Sequence, residues 1–258
     1  MTPGTEDSDM TNRKLAFHPL HSLLSRSFAR ATAGVLGAAA PLMALANPTG
    51  GQVVGGSASI HNAGANGTVI NQNSQNAIIN WQQFNVGANQ YVQFVQPNSS
   101  SVVLNRVIGG NASQIFGDIK ANGQVFLVNT AGIYFAPGAT LDVQGIVAST
   151  LDIDDADFMA GRYTFSKSAG APDAGVDNQG QIHVGRGGYV VLAGDYAQNQ
   201  GAIDAQFGKV YLAAGNAATL TLDGRMASKA CGWTSRHEPG EPEKPRISQK
   251  SAEDPSSN

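Results

Sequence analysis

Four carboxylates crowd together at Asp152, Asp154, Asp155 and Asp157, the densest acidic group in the chain. On a strand, Asp152 and Asp154 would share one face with Ile153 opposite, about 6–7 Å apart. That separation suits paired-carboxylate chemistry on a polysaccharide. The same oxygens would also serve a Ca²⁺ ion, but the Gly-Gly-x-Gly-x-Asp repeat that strengthens such a reading is absent. A plainer account is a solvated acidic turn, since the nearest basic residues in sequence are Arg162 and Lys167. The expectation is no catalytic residue and no metal site. A β-helical polysaccharide-degrading enzyme using Asp152 and Asp154 is the alternative.

Other reactive types are isolated. His61 and His183 have no second ligand at metal spacing. The single Cys, Cys231, has no base near it, and no Ser sits in a Gly-x-Ser-x-Gly elbow. Gly185-Arg186-Gly187-Gly188 is not followed by a helical pattern, so it is no phosphate loop. Trp81 and Phe84, beside Gln82 and Gln83, read as core and cap packing. No cofactor is expected.

The elements that would carry these residues come from a repeated phrase. Gly-x-Ile followed by Gly-x-Val-x-Leu occurs at Gly117-Asp118-Ile119 with Gly123-Gln124-Val125-Phe126-Leu127, and again at Gly180-Gln181-Ile182 with Gly188-Tyr189-Val190-Val191-Leu192. A third copy runs Gly201-Ala202-Ile203 with Gly208-Lys209-Val210-Tyr211-Leu212, about 20 residues after the second. Within the phrase, Val190, Leu192, Val210 and Leu212 alternate with Tyr189, Val191, Lys209 and Tyr211, which predicts one buried face per strand. Leu220 and Leu222 extend the pattern. Further short strands are expected around Val53, Val69, Ile78, Val92, Val103, Tyr134 and Leu141, with Gly, Asn and Pro between them.

The predicted fold is all-β, a right-handed parallel β-helix of about eight or nine coils, each about 20 residues long and giving three strands. Gly and Asn would turn the corners through left-handed backbone angles. A β-sandwich explains the strands but not the fixed period. Exposed strand edges at the end of a stack invite aggregation, so the polar residues 52–76 are expected to form an N-terminal cap. Phe158 and Phe165, flanking Gly161-Arg162-Tyr163, suggest a hairpin protruding from the stack.

Composition divides the chain into three. Residues 1–46 combine Arg13, Lys14, Arg26 and Arg30 with an apolar run ending Ala44-Leu45-Ala46. This reads as a secretory signal cleaved between Ala46 and Asn47, with translation starting at Met1 or Met10. Residues 47–224 hold six Lys and Arg against eleven Asp and no Glu. That acidic balance provides no footprint for nucleic acid. Without Cys the segment also lacks disulfides and thiolate metal sites. Residues 225–258, rich in Pro, Ser, Glu and Lys, read as a disordered or aberrant tail that interrupts a repeat.

Several stretches carry a resemblance as well. Ser113-Gln114-Ile115-Phe116-Gly117-Asp118-Ile119, Asn122-Gly123-Gln124-Val125-Phe126-Leu127-Val128-Asn129 and Gly132-Ile133-Tyr134-Phe135 appear in that order. With Phe84-Asn85-Val86-Gly87 and Val103-Leu104-Asn105-Arg106-Val107, they resemble the N-terminal secretion domain of filamentous-haemagglutinin-like two-partner exoproteins. The likeness is nearest to the high-molecular-weight-adhesin branch.

The resemblance implies a non-enzymatic secretion domain recognised by an outer-membrane β-barrel transporter with periplasmic docking domains. It implies passage through the periplasm of a Gram-negative bacterium, folding at the cell surface, and release or surface display. Any binding to host-cell or glycan receptors would belong to a passenger beyond this domain. The family's Asn-Pro-Asn-Gly-Ile motif falls on Asn129-Thr130-Ala131-Gly132-Ile133, matching at Asn129, Gly132 and Ile133. These three are the candidate transporter-recognition residues, with shaping of a tight turn as the competing role. The family's Asn-Pro-Asn-Leu motif has no clear counterpart; Gln96-Pro97-Asn98-Ser99 is at best a remnant, matching only at Pro97 and Asn98.

Overall fold

The repeated phrase builds two different walls of one stack. A computed structural model of the chain describes residues 47–221 and 226–228. Residues 1–46, where an export signal ending at Ala46 is expected, Leu222, and most of residues 225–258, including Cys231, lie outside the described residues.

The Gly-x-Val-x-Leu halves fall in a seven-stranded sheet, here the first wall. It runs Gln52–Gly55, Asn76–Trp81, Val102–Val107, Gln124–Val128, Gly145–Ser149, Tyr189–Gly194 and Lys209–Ala214. The Gly-x-Ile halves fall in a second seven-stranded sheet of Ala58–Asn62, Gly67–Gln72, Tyr91–Val95, Asp118–Ala121, Thr140–Val143, Gln181–Val184 and Ala202–Ala205. A third wall has four strands, Ser113–Ile115, Ile133–Phe135, Gly175–Asn178 and Tyr196–Asn199. Successive coils pair in parallel and in register on all three walls.

This is the parallel β-helix that the period predicts. At its start Gln52–Gly55 and Ala58–Asn62 run antiparallel to their neighbours and cap the stack, but the cap is shorter than the expected 52–76, because Gly67–Gln72 already pairs in parallel with Tyr91–Val95. With the cap counted, the two longer walls have seven layers and the third has four, fewer than the eight or nine coils expected from length. The shortfall has two causes. The cap spends its residues on antiparallel pairing, and residues 150–174 leave the stack altogether.

Inside the coils, stacked apolar rungs form the main core. Val103, Val125, Ile146, Val190 and Val210 make one rung column, and Val92, Ile119, Leu141, Ile182 and Ile203 face them from the second wall. Polar residues enter this interior at a few positions, among them Thr68, Ser113, Asn178 and Asn105. Asn105, fully buried between Ile79 and Leu127, accepts from the Trp81 indole at 3.0 Å and donates to the Phe126 carbonyl at 3.3 Å. Trp81 also meets Phe84 edge to face at 5.6 Å.

The expectation of one buried face per strand fails on the first wall. Its outward residues Ile78, Leu104, Phe126, Val147, Tyr189 and Val191 form a second buried cluster with Phe158, Tyr163 and Phe165. The excursion expected around Gly161 supplies the cover: a short helix, Asp155–Met159, and the strand Tyr163–Ser166 lie over the wall. Tyr163–Ser166 pairs antiparallel with Asp152–Ile153 and with Ala217–Leu220, and Met226–Ser228 adds a fourth strand. Leu220 therefore belongs to this outer sheet and not to a further coil.

The phrase glycines also differ from expectation. None has a positive φ. They are small because the preceding coil is close: a Cβ on Gly201 would lie 2.0 Å from the Gly180 carbonyl, and one on Gly208 2.4 Å from that of Gly188. Positive φ appears at other turns, such as Gly187 and Gly138.

Candidate functional site

Residues 129–133 connect the first wall to the third. Asn129 is 1% exposed, and its backbone N–H bonds the Ser149 carbonyl at 2.9 Å. Its side-chain amide donates to the Asn111 carbonyl and the Ser113 hydroxyl, both at 2.9 Å, tying the turn to the preceding coil. Oδ1 accepts from Ala131 N–H at 3.0 Å, and the Asn129 carbonyl from Gly132 N–H at 3.0 Å. This is an Asx-type turn, for which Asn is suited by its short amide.

Gly132 has φ 120°, a conformation that disfavours other residues. Ile133 is 3% exposed and stacks between Ser113 and Val176. The three sequence-matched residues thus come together, with the Asn129 and Ile133 side chains turned into the fold and Gly132 on the outer face, where a Cβ would meet only Ala112 at 3.5 Å and the Gly175 carbonyl at 3.8 Å. Only Thr130 and Ala131, where the sequence departs from the motif, are partly exposed. The remnant at residues 96–99 is a turn too: Asn98 Oδ1 accepts from the Ser100 N–H at 2.9 Å. Gln96, buried beside it, donates to the Gln72 side chain at 3.0 Å and the Ser101 carbonyl at 3.2 Å.

The acidic group has a different fate. Asp152 is on a strand, but Asp154 caps the following helix, accepting from Ala156 and Asp157 N–H at 2.8 and 3.2 Å. The pair does not share a strand face. Arg106 reaches across from the first wall to Asp152 at 2.9 Å, Asp155 at 2.5 Å and the Ile153 carbonyl. Arg162 pairs with Asp157 at 2.5 Å. Burial works against the Arg106 charge, but the bonds and charges of Asp155 and Asp152 outweigh it and raise its pKa. Every carboxylate of the group is spent on holding the excursion in place.

Sequence reasoning missed Arg106, which is 46 residues from Asp152. The signal was present, because Arg106 is the charged member of an outer row that it shares with Val102 and Leu104. Among the described residues no group of three or more His, Cys, Asp or Glu could hold a metal ion. His61 bonds only Ser59, at 3.0 Å, and His183 lies 3.9 Å from Asp204.

Comparison with known proteins agrees with this geometry. Residues 44–255 match the family model of the TPS (two-partner secretion) secretion domain. A heme/hemopexin-binding protein of Haemophilus influenzae strain Rd is 38% identical over 188 residues, 71% of this chain and 21% of that protein. A second Haemophilus influenzae heme/hemopexin-binding protein is 40% identical over 116 residues, 45% of this chain and 12% of the relative. The chain thus spans about a fifth or less of these relatives. The crystal structure of the HMW1 secretion domain from Haemophilus influenzae superposes with a TM-score of 0.69 at 37% identity, covering 72% of this chain and 50% of that one. The chain belongs to the two-partner secretion exoproteins, and it carries their secretion domain, not an enzyme.

Proposed function

We propose that this domain directs its exoprotein to an outer-membrane β-barrel transporter in a Gram-negative bacterium and then starts β-helix folding at the cell surface. Residues 1–46 serve export to the periplasm, with cleavage between Ala46 and Asn47. The transporter's periplasmic domains receive the chain there.

Burial of the Asn129 and Ile133 side chains carries the reading furthest. A partner contacts these side chains only while the coil is open, so recognition precedes folding. Once outside, the antiparallel cap offers one edge on which parallel coils add, each pairing only with its neighbour. Such growth is local in sequence, which favours speed. The likeness to heme/hemopexin-binding proteins supports a passenger of that class beyond this domain.

The test is a titration of the exported chain against the periplasmic domains of the transporter encoded beside it, once in urea-expanded form and once folded. Binding is expected for the expanded chain, with about tenfold weaker binding for Asn129→Ala. Equal binding of folded and expanded chains would overturn the order of events, and no binding of either would overturn the transporter assignment.

A further inference from the structure

Next to the 129–133 turn, on the outer face of the third wall, lies a trough of about 260 Å³. It crosses four passes of the chain, from Ala112 through Gly132 and Gly175 to Tyr196. On this face Gly132 and Gly175 stand where a strand would otherwise present side chains, leaving the floor bare backbone. Tyr196 lies over Gly175, whose Cβ would come within 2.5 Å of the ring. Tyr196 is nevertheless 48% exposed, and its hydroxyl has no hydrogen-bond partner among the described residues. Tyr134 forms part of the opposite side, held by its bond to Gln179 at 3.2 Å.

Asp177, in register with Tyr134, lines the same trough. Its Oδ2 accepts from Gln179 at 3.1 Å. Its Oδ1 is shielded from solvent and accepts nothing. A buried acceptor without a donor is costly, more so on a charged group. The neighbourhood adds negative charge: Asp173 lines the trough and Asp195 adjoins Tyr196, with Lys167 shared between the two carboxylates at 2.6 and 2.9 Å. Among the described residues no cation pairs with Asp177.

We propose that this trough binds an arginine side chain of a peptide partner of the folded domain, with the guanidinium on Asp177 and its plane against Tyr196. Arginine fits better than lysine because its planar fork can both pair with a carboxylate and stack on a ring. Pairing requires the groups that shield Oδ1 to move aside as the guanidinium enters. The trough shares Gly132 and Ile133 with the 129–133 turn, but it exists only in the folded domain, whereas the proposed transporter recognition precedes folding.

The full chain is titrated with acetyl-Gly-Arg-Gly amide, and with acetyl-Gly-Gln-Gly amide as control, followed by amide chemical shifts. Saturable shifts at Gly132, Gly175, Asp177 and Tyr196 are expected for the arginine peptide alone. Asp177→Asn should weaken binding about tenfold, and Tyr196→Leu by a smaller factor. Because Asp177 Oδ1 accepts no bond, Asp177→Asn should melt at or above the parent temperature. Equal binding of the two peptides, unchanged binding in Asp177→Asn, or no saturable shift would each overturn the site. A misfolded Asp177→Asn would do so as well, by assigning that carboxylate to structure; Tyr196→Leu with unchanged affinity would remove the stacking contact.

Discussion

Two strands of the same coil, Gln124–Val128 and Asp118–Ala121, differ in what lies on their outer side. The first buries Phe126 and Val128 under the excursion while Val125 and Leu127 fill the coil interior. The second buries Ile119 inward and leaves Lys120 in the open. Continued along the stack beyond Val69, this outer column of the second wall reads Gln93, Lys120, Asp142, His183, Asp204. A parallel wall covered on both faces reads as a continuous apolar run, and one covered on a single face alternates. The difference teaches that the first wall is a sheet between two cores, and that the excursion is part of the domain's stability.

The comparison can be broken most directly at its centre. Phe126→Ala removes a fully buried ring that meets Phe158 at 5.7 Å and Tyr163 at 4.9 Å. It should cost about 3–5 kcal/mol in urea unfolding. Lys120→Ala, at the corresponding outer position of the second wall, should stay within about 0.5 kcal/mol. Similar losses for the two would dissolve the distinction between the walls.

A smaller effect tests how the cover is held. Arg106→Met keeps the stem but strands Asp152 and Asp155 and frees the Ile153 carbonyl. With its side chain 14% exposed and those of its partners 36% and 51%, the loss should be about 1–3 kcal/mol, below that of a fully buried pair. Limited proteolysis should cut first within residues 150–174. Cleavage starting in the second wall instead would show that the excursion is not the region loosened.

The smallest effect sharpens the boundary where the excursion rejoins the stack. The Asp173 hydrogen bond, and then that of Asp195, raise the Lys167 pKa, while the same Lys167 bond lowers that of Asp173. The lysine's contribution is complete below its ordinary 10.5 and fades as pH rises through the raised value. The aspartate's is complete above its ordinary 3.8 and fades as pH falls through the lowered one. The stability difference between the parent and Asp173→Asn should therefore be flat from roughly pH 5 to 9 and shrink outside it. A difference that varies across that plateau would assign the effect to another pair.

Much of the stack was legible because period and alternation are local properties. Val190, Leu192, Val210 and Leu212 point inward as their spacing predicts, and Lys209 faces out. What stayed hidden depends on partners far along the chain. Tyr189 and Val191 were placed on the outer face, yet nothing nearby says that Phe158 and Phe165 cover them. Asp154 resembles half of a catalytic pair until the helix that it caps is known. The phrase glycines looked like corner residues, and their cause, a carbonyl of the preceding coil, lies about 20 residues away. Asn129 was readable as a turn former, but its two bonds to the preceding coil were not.

Asn105 has a consequence for fidelity. A stack of Val, Ile and Leu rungs is nearly indifferent to which rung sits on which, so a misaligned coil would lose little apolar contact. Sliding Val102–Val107 against Asn76–Trp81 would separate Asn105 from the Trp81 indole and strand two polar groups in a dry interior. The penalty falls at the first parallel step after the cap on this wall, where an error would be inherited by every coil laid down above it. One amide there acts as a proofreader for a structure that copies its own edge.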